Sequence, residues 1–235
     1  MIVSCPGKLV LIGEYGVLEG GRALVGATSA RASGARVETL DLGSPVVRKV
    51  RACALAAGGQ YRGGVDIDTR AFRHGRSKLG IGSSAATAVC TSALVLGRCD
   101  DEAQACALEG HRAASGGRGS GIDILACHRG GVIACERQPG AVVELSTRLP
   151  GYQLSVWFLG VASSTSDLIG RCKAAPSWDS WIAIFRDLGE QGIAAWEDGN
   201  SPSFLTAVAK FSAAMAGMGQ DAGVDLLTPA GAELI

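Results

Sequence analysis

The chain has 235 residues, 47% of them apolar and 19% charged, which excludes a disordered chain and allows one large core or two small ones. Lys plus Arg equals Asp plus Glu at 22 each, so no strongly basic surface for nucleic acid is implied. The opening MIVSCPGK lacks the features of a signal peptide, and no apolar run reaches the ~18 residues of a membrane span. The expectation is a cytoplasmic protein with neither membrane nor nucleic-acid partners. Its eight cysteines form no CxxC pair, and they read as reduced thiols, most of them small core residues.

In chain order, LVLIGEYGVL (9–18) reads as an apolar strand broken by Gly13 and Gly16. ALVGA (23–27) and ARVETLDL (35–42) suggest two further strands. VVRKVRACALAAGG (46–59) places Val46, Val50, Cys53 and Ala57 on one helical face and ends at Gly58-Gly59. GVDIDTR (64–70) is a short alternating strand. KLGIGSSAATA (78–88) is a loop of small residues running into a helix that extends to about Leu96. DDEAQACALEGHRAA (100–114) is a helix with acids at its start, as the helix dipole favours. After a second glycine cluster, 115–123, GGVIACE (130–136), AVVELS (141–146) and YQLSVWFLG (152–160) read as strands. Two helices follow, from Trp178 and from Ser201-Pro202. Strands dominate to about residue 160 and helices thereafter, an α+β pattern.

Three stretches carry chemistry. The loop Gly80–Ala85 presents backbone N–H groups and a positive helix end, which suits a phosphate. It fits G-x-G-x-x-A formally, but FRHGRSK before it is no buried strand, and the Walker pattern is absent. PGKLVLIGEYGVLEGG (6–21) sets Lys8 after a Pro-Gly turn with Glu14 six residues on, and GRGSGID (117–123) sets Asp123 after a glycine cluster. A phosphoryl transferase needs such a phosphate cradle, a cation and a carboxylate near the acceptor. His74, His111 and His128 lack metal-ligand spacing and read as surface or satisfied histidines.

Together these stretches resemble the GHMP kinase superfamily. PGKLVLIGEYGVLEG is similar to its first segment, LGIGSSAA to its phosphate loop and GSGIDILACHRGG to its acid-bearing segment. Within it, GEY at 13–15 and Lys78 ahead of the loop resemble phosphomevalonate kinases. Where mevalonate kinases carry a magnesium-binding glutamate, the aligned residue here is His111 or Arg112. The resemblance implies a two-lobed α+β fold: a ribosomal-protein-S5-like N-terminal lobe over 1–150 and a ferredoxin-like C-terminal lobe over 151–235. That second lobe is expected to be incomplete, because the chain stops at TPAGAELI before a third glycine-rich loop. A fragment and a natural short form both fit.

The implied activity is transfer of the ATP γ-phosphoryl, with Mg²⁺, to a small molecule. The acceptor would be mevalonate 5-phosphate, with mevalonate as the runner-up; a non-catalytic nucleotide-binding homologue is the alternative from another class. Lys8 and Asp123 are the expected catalytic residues. Gly80, Ile81, Gly82, Ser83, Ser84 and Ala85 would bind the ATP phosphates, with Ser84 also reaching Mg²⁺. Glu14, Tyr15, Lys78, Ser120, Gly121, Ser164 and Thr165 would bind the acceptor, Ser164 and Thr165 belonging to the hydroxyl-rich ASSTSDLIG (162–170). A monomer or homodimer is expected.

Overall fold

The computed structural model describes residues 1–39, 43–117, 119–138, 140–145, 149–158 and 165–226. The elements in order are β1 (Ile2–Ile12), β2 (Arg22–Val37), α1 (Pro45–Ala56), β3 (Gly64–Asp68), β4 (Arg73–His74), β5 (Ser77–Lys78), α2 (Ser83–Leu96), α3 (Asp101–Ala114), α4 (Ile122–Arg129), β6 (Val132–Glu136), β7 (Val142–Leu145), α5 (Thr165–Ala174), α6 (Trp178–Glu197) and α7 (Ser201–Ala222). The main sheet has the order β1-β2-β6-β7, with β3 also on β2. β2 and β3 are antiparallel from Ser33 opposite Asp68 to Val37 opposite Gly64, and β4 and β5 form a short hairpin. The chain is a mixed helix-and-sheet protein, as the pattern implied.

Two compact units are present. The first comprises Met1–Leu9 with Gly26–Gly131, the second Val10–Val25 with Val132–Ile235. This division differs from the lobes expected at 1–150 and 151–235. Two of its three boundaries fall inside β1 and β2, which are long enough to contribute residues to both units, and the third falls just before β6.

The first unit buries Cys5, Ala32, Val50, Phe72, Ile124 and the alanines of α2. Its helices begin as the sequence dictates. Ser44 caps α1 by accepting from the Val47 amide, with Pro45 in the first turn, and Asp100 caps α3 by accepting from the Ala103 amide at 3.0 Å. Gly110 brings α3 against α1: a Cβ there would lie 2.5 Å from Val50 N. The second unit buries Ile12, Leu24, Phe185, Ile193, Trp196 and Met218, with α6 and α7 packed on each other.

Three sequence expectations are corrected. The strands at 23–27 and 35–42 are one, β2, through residue 37; residues 40–42 lie outside the described ones. Its middle alternates Ala32 and Gly34 inward with Arg31 and Ser33 outward, so small residues carry the periodicity and hydropathy missed it. The face of α1 is rotated: Val47, Val50, Arg51 and Ala54 are buried. Arg51 turns inward because its guanidinium donates to the carbonyls of Tyr61, Arg62 and Gly63, the last at 2.7 Å. Residues 152–158 form no strand, although they alternate; Tyr152, Leu154, Val156 and Trp157 are all exposed. Residues 159–160 lie outside the described ones.

Candidate active site

Lys8 and the loop before α2 are locked together by backbone geometry. The Lys8 amide donates to the Ile81 carbonyl at 2.9 Å. Gly7 permits this approach, since a Cβ there would lie 2.6 Å from the Phe72 ring. Gly80 and Gly82 take φ of +76° and +87°, a region that favours glycine. Gly82 must also be bare, because a Cβ would sit 2.9 Å from Lys8 Cγ. The lysine stem therefore lies across the loop.

Helix α2 opens directly after that turn. Its first intrahelical bond runs from the Ala86 amide to the Gly82 carbonyl at 3.0 Å, and Gly82 supplies no side-chain cap. The amides of Ser83, Ser84 and Ala85 thus project from the positive end of a 14-residue helix. Such an array can hold a phosphate.

Asp123 enters from α4. Gly121, at φ +84°, starts that helix, and Arg112 Nη2 steadies the turn by donating to the Ser120 carbonyl at 3.3 Å. Lys8 Nζ and Asp123 Oδ1 are 2.8 Å apart, the lysine side chain 15% and the aspartate 39% exposed. The lysine is sheltered enough for its charge to act at short range, while the carboxylate keeps contact with solvent.

The histidine of α3 completes the group. His111 Nε2 lies 3.0 Å from Ser84 Oγ. Burial holds the His111 pKa below its ordinary value; Asp123 opposes that shift and Lys8 adds to it. His111 is thus a satisfied histidine, as expected, and its partner is the Ser84 hydroxyl in the first turn of α2. The resemblance left His111 and Arg112 as alternatives at this position; the partner Ser84, 27 positions away on another helix, carries no local signal. Of the other two, His74 is exposed, and His128 is a partly buried ring with no hydrogen-bond partner on either nitrogen.

Ser84 also lines a pocket of about 260 Å³, together with Ser44, Val46, Thr69, Phe72, Arg73, Lys78, Ser83 and Thr87. Its two cations and five hydroxyls suit a phosphorylated ligand, and Phe72 and Val46 offer apolar wall. Arg73 joins the expected residues here; its neighbour across the β4–β5 hairpin is Lys78.

The structure thus gathers Lys8, Lys78, Gly80–Ala85, Ser120, Gly121 and Asp123 in the first unit. Glu14 and Tyr15 belong to the second. Tyr15 is 8% exposed, its ring stacked on Phe185 with centroids 5.8 Å apart and edge-on to Trp178. Its φ of +61° is uncommon for a side chain of that bulk, and burial pushes its hydroxyl pKa up. Thr165 opens α5, also in the second unit, and Ser164 lies outside the described residues.

A resident metal finds few protein donors. Among the described residues no group of three His, Cys, Asp or Glu could hold an ion. The donor set fits Mg²⁺ arriving with a nucleotide, which takes most ligands from phosphates and water. No described helix is long and apolar enough to cross a membrane.

No protein-family model matches the chain, and no curated protein sequence does. Solved structures do. A Lin0012 protein from Listeria innocua superposes with a TM-score of 0.84 at 20% identity, over 97% of this chain and 81% of that one. Phosphomevalonate kinase from Streptococcus pneumoniae, in complex with phosphomevalonate and AMPPNP, gives a TM-score of 0.76 at 18% identity, over 97% and 82%. Mevalonate kinase from Methanococcus jannaschii gives 0.71 at 16% identity, over 97% and 80%.

Proposed function

For a chain with the fold of the mevalonate and phosphomevalonate kinases, GHMP kinases both, we propose ATP-dependent phosphorylation of a small molecule, with mevalonate 5-phosphate as the acceptor. The Lys8–Asp123 pair beside the three open amides of α2 carries this reading: cation, carboxylate and phosphate cradle meet within one unit. In the reaction an oxygen of the acceptor's phosphate attacks the γ-phosphorus. The bond to the β,γ-bridging oxygen breaks, leaving ADP and a diphosphate. The amides of Ser83, Ser84 and Ala85 hold the nucleotide phosphates. Mg²⁺, bound with ATP, would neutralise charge on those phosphates, with the Ser84 hydroxyl as its protein ligand. Lys8 stabilises the transferring group, and Asp123 orients the acceptor. The pocket with Phe72, Arg73 and Lys78 takes the rest of the nucleotide or the acceptor's own phosphate. Ser120 and Gly121, in the same unit as Asp123, remain assigned to the acceptor.

A phosphate monoester, with its second pKa near 6, is already ionised at neutral pH. It needs no strong base, which fits an Asp123 already committed to Lys8. Mevalonate is the second reading, favoured by the Methanococcus jannaschii likeness. It would require Asp123 to take the hydroxyl proton.

ADP release with Mg-ATP and a panel of mevalonate 5-phosphate, mevalonate, galactose, homoserine and no acceptor tests the proposal. Turnover with mevalonate 5-phosphate alone is expected. Turnover with mevalonate alone moves the assignment to the hydroxyl acceptor. Saturable ATP binding without turnover supports a non-catalytic homologue, and no ATP binding reduces the loop to a helix end.

A further inference from the structure

The Ser84–His111 contact has no part in the reading above, and its geometry is specific. Hydroxyls in and near the first turn of a helix commonly bond back to their own backbone. Thr87 does so, donating to the Ser83 carbonyl at 2.9 Å, and Thr91 donates to the Thr87 carbonyl at 2.8 Å. Ser84 instead reaches across to α3 while staying exposed beside the pocket. The partner is rigidly delivered. Its neighbour Gly110 is where α3 meets the α1 backbone, and its own carbonyl accepts both the amide and the hydroxyl of Ser115 at the helix end. His111 thus sits between a close helix–helix approach and a capped terminus.

The direction of the bond decides what Ser84 offers. If the hydroxyl donates to Nε2, both oxygen lone pairs are left for a cation. If Nε2–H donates, the hydroxyl proton is left for a phosphate oxygen. The placement favours the first case: Nε2 lies against the hydroxyl of Ser84 in the first turn of α2, and the positive end of that helix opposes an N–H pointed at it.

We infer that His111 is a positioning residue that accepts the Ser84 hydroxyl proton at Nε2, turning the Ser84 oxygen lone pairs toward the Mg²⁺ of a bound nucleotide. This rests on the reading of α2 as a nucleotide-phosphate site. His111 touches neither nucleotide nor acceptor and acts through Ser84 alone.

The test is a double-mutant cycle of Ser84→Ala and His111→Ala, read as affinity for AMPPNP by calorimetry, with Mg²⁺ and again with EDTA. Each single variant should bind Mg-AMPPNP about tenfold more weakly, the scale of one hydrogen bond. The double variant should be no weaker than either, since the two act as a unit. In EDTA the cycle should vanish. His111→Gln, which keeps an acceptor at the end of a side chain of similar reach, should restore affinity to within about threefold, whereas His111→Leu should not. A merely structural role predicts instead that loss tracks thermal stability and persists in EDTA. Additive losses, or equal losses with and without Mg²⁺, overturn the inference while leaving the nucleotide site standing. Wild-type protein that binds no AMPPNP at all overturns both.

Discussion

Lys8 is held at three points along its length: its amide by the Ile81 carbonyl, its stem over Gly82 and its ammonium by Asp123. Replacing Lys8 by Met keeps the first two and deletes the third. That variant should lose about 10²- to 10³-fold in kcat, the usual cost of one preorganised charge at a developing anion. Asp123→Asn should lose less with a phosphate acceptor, because no proton must be removed. Steady-state kinetics of the pair decide the matter, and a near-silent Lys8→Met would sink the assignment. His128 yields a prediction about stability. Burial first, then Arg129, lowers its pKa, against the opposing pull of Asp101 and Asp100. An unfolded histidine takes up its proton near pH 6.5. Below that value, down to the lower folded pKa, the unfolded chain holds more protons. Stability is therefore complete above about pH 6.5 and falls as pH drops through this window. Urea midpoints at pH 7.5 and 5.5 should differ less in His128→Leu than in wild type, with the His111 contribution left behind.

Among the elements, the α1–α3 contact is the most exacting. With Gly110 abutting the α1 backbone at Val50, no side-chain rotation can make room for a methyl. Gly110→Ala should destabilise the fold by about 1–3 kcal/mol, the range for overpacking, measured as a lower urea midpoint at unchanged slope. Gly82→Ala should instead act on binding: a left-handed residue costs about 1–2 kcal/mol when it gains a Cβ, and this one would also push Lys8 aside. Its AMPPNP affinity should fall more than its stability. Elements with local signatures could be read from the sequence: the acids that open α3, the glycine turn before α2, and the motifs of Lys8 and Asp123. Features set by distant partners could not. The middle of β2 hid in small residues that suit a crowded face, as at Gly34, where a Cβ would lie 2.7 Å from Ile67 Cδ1. The inward turn of Arg51 depends on carbonyls of the following loop. The pattern at 152–158 promised a strand, but a strand needs a neighbour as well as an alternation, and none pairs with it among the described residues. The pairing of His111 with Ser84 became visible only once α2 and α3 were placed side by side.

Across the whole molecule, β1 and β2 run through both units, so neither unit can lose these strands without taking them from the other. All four tryptophans, at 157, 178, 181 and 196, lie in the second unit, while helix is spread over both. Tryptophan fluorescence and far-ultraviolet circular dichroism should therefore report one coincident denaturation curve, and separate midpoints would show that the units unfold independently. The cysteines carry a practical consequence. Six of the eight are buried, Cys53 is partly covered and Cys99 alone is exposed, three residues past the end of α2. A maleimide dye given a brief exposure should enter at Cys99 before any other thiol. At 1.5 Å per residue, the 14 residues of α2 span about 21 Å, which sets the scale of the separation between that dye and the amides that begin the helix. A fluorescent nucleotide seated there would be well within energy-transfer range, so the native chain supplies its own ruler for binding.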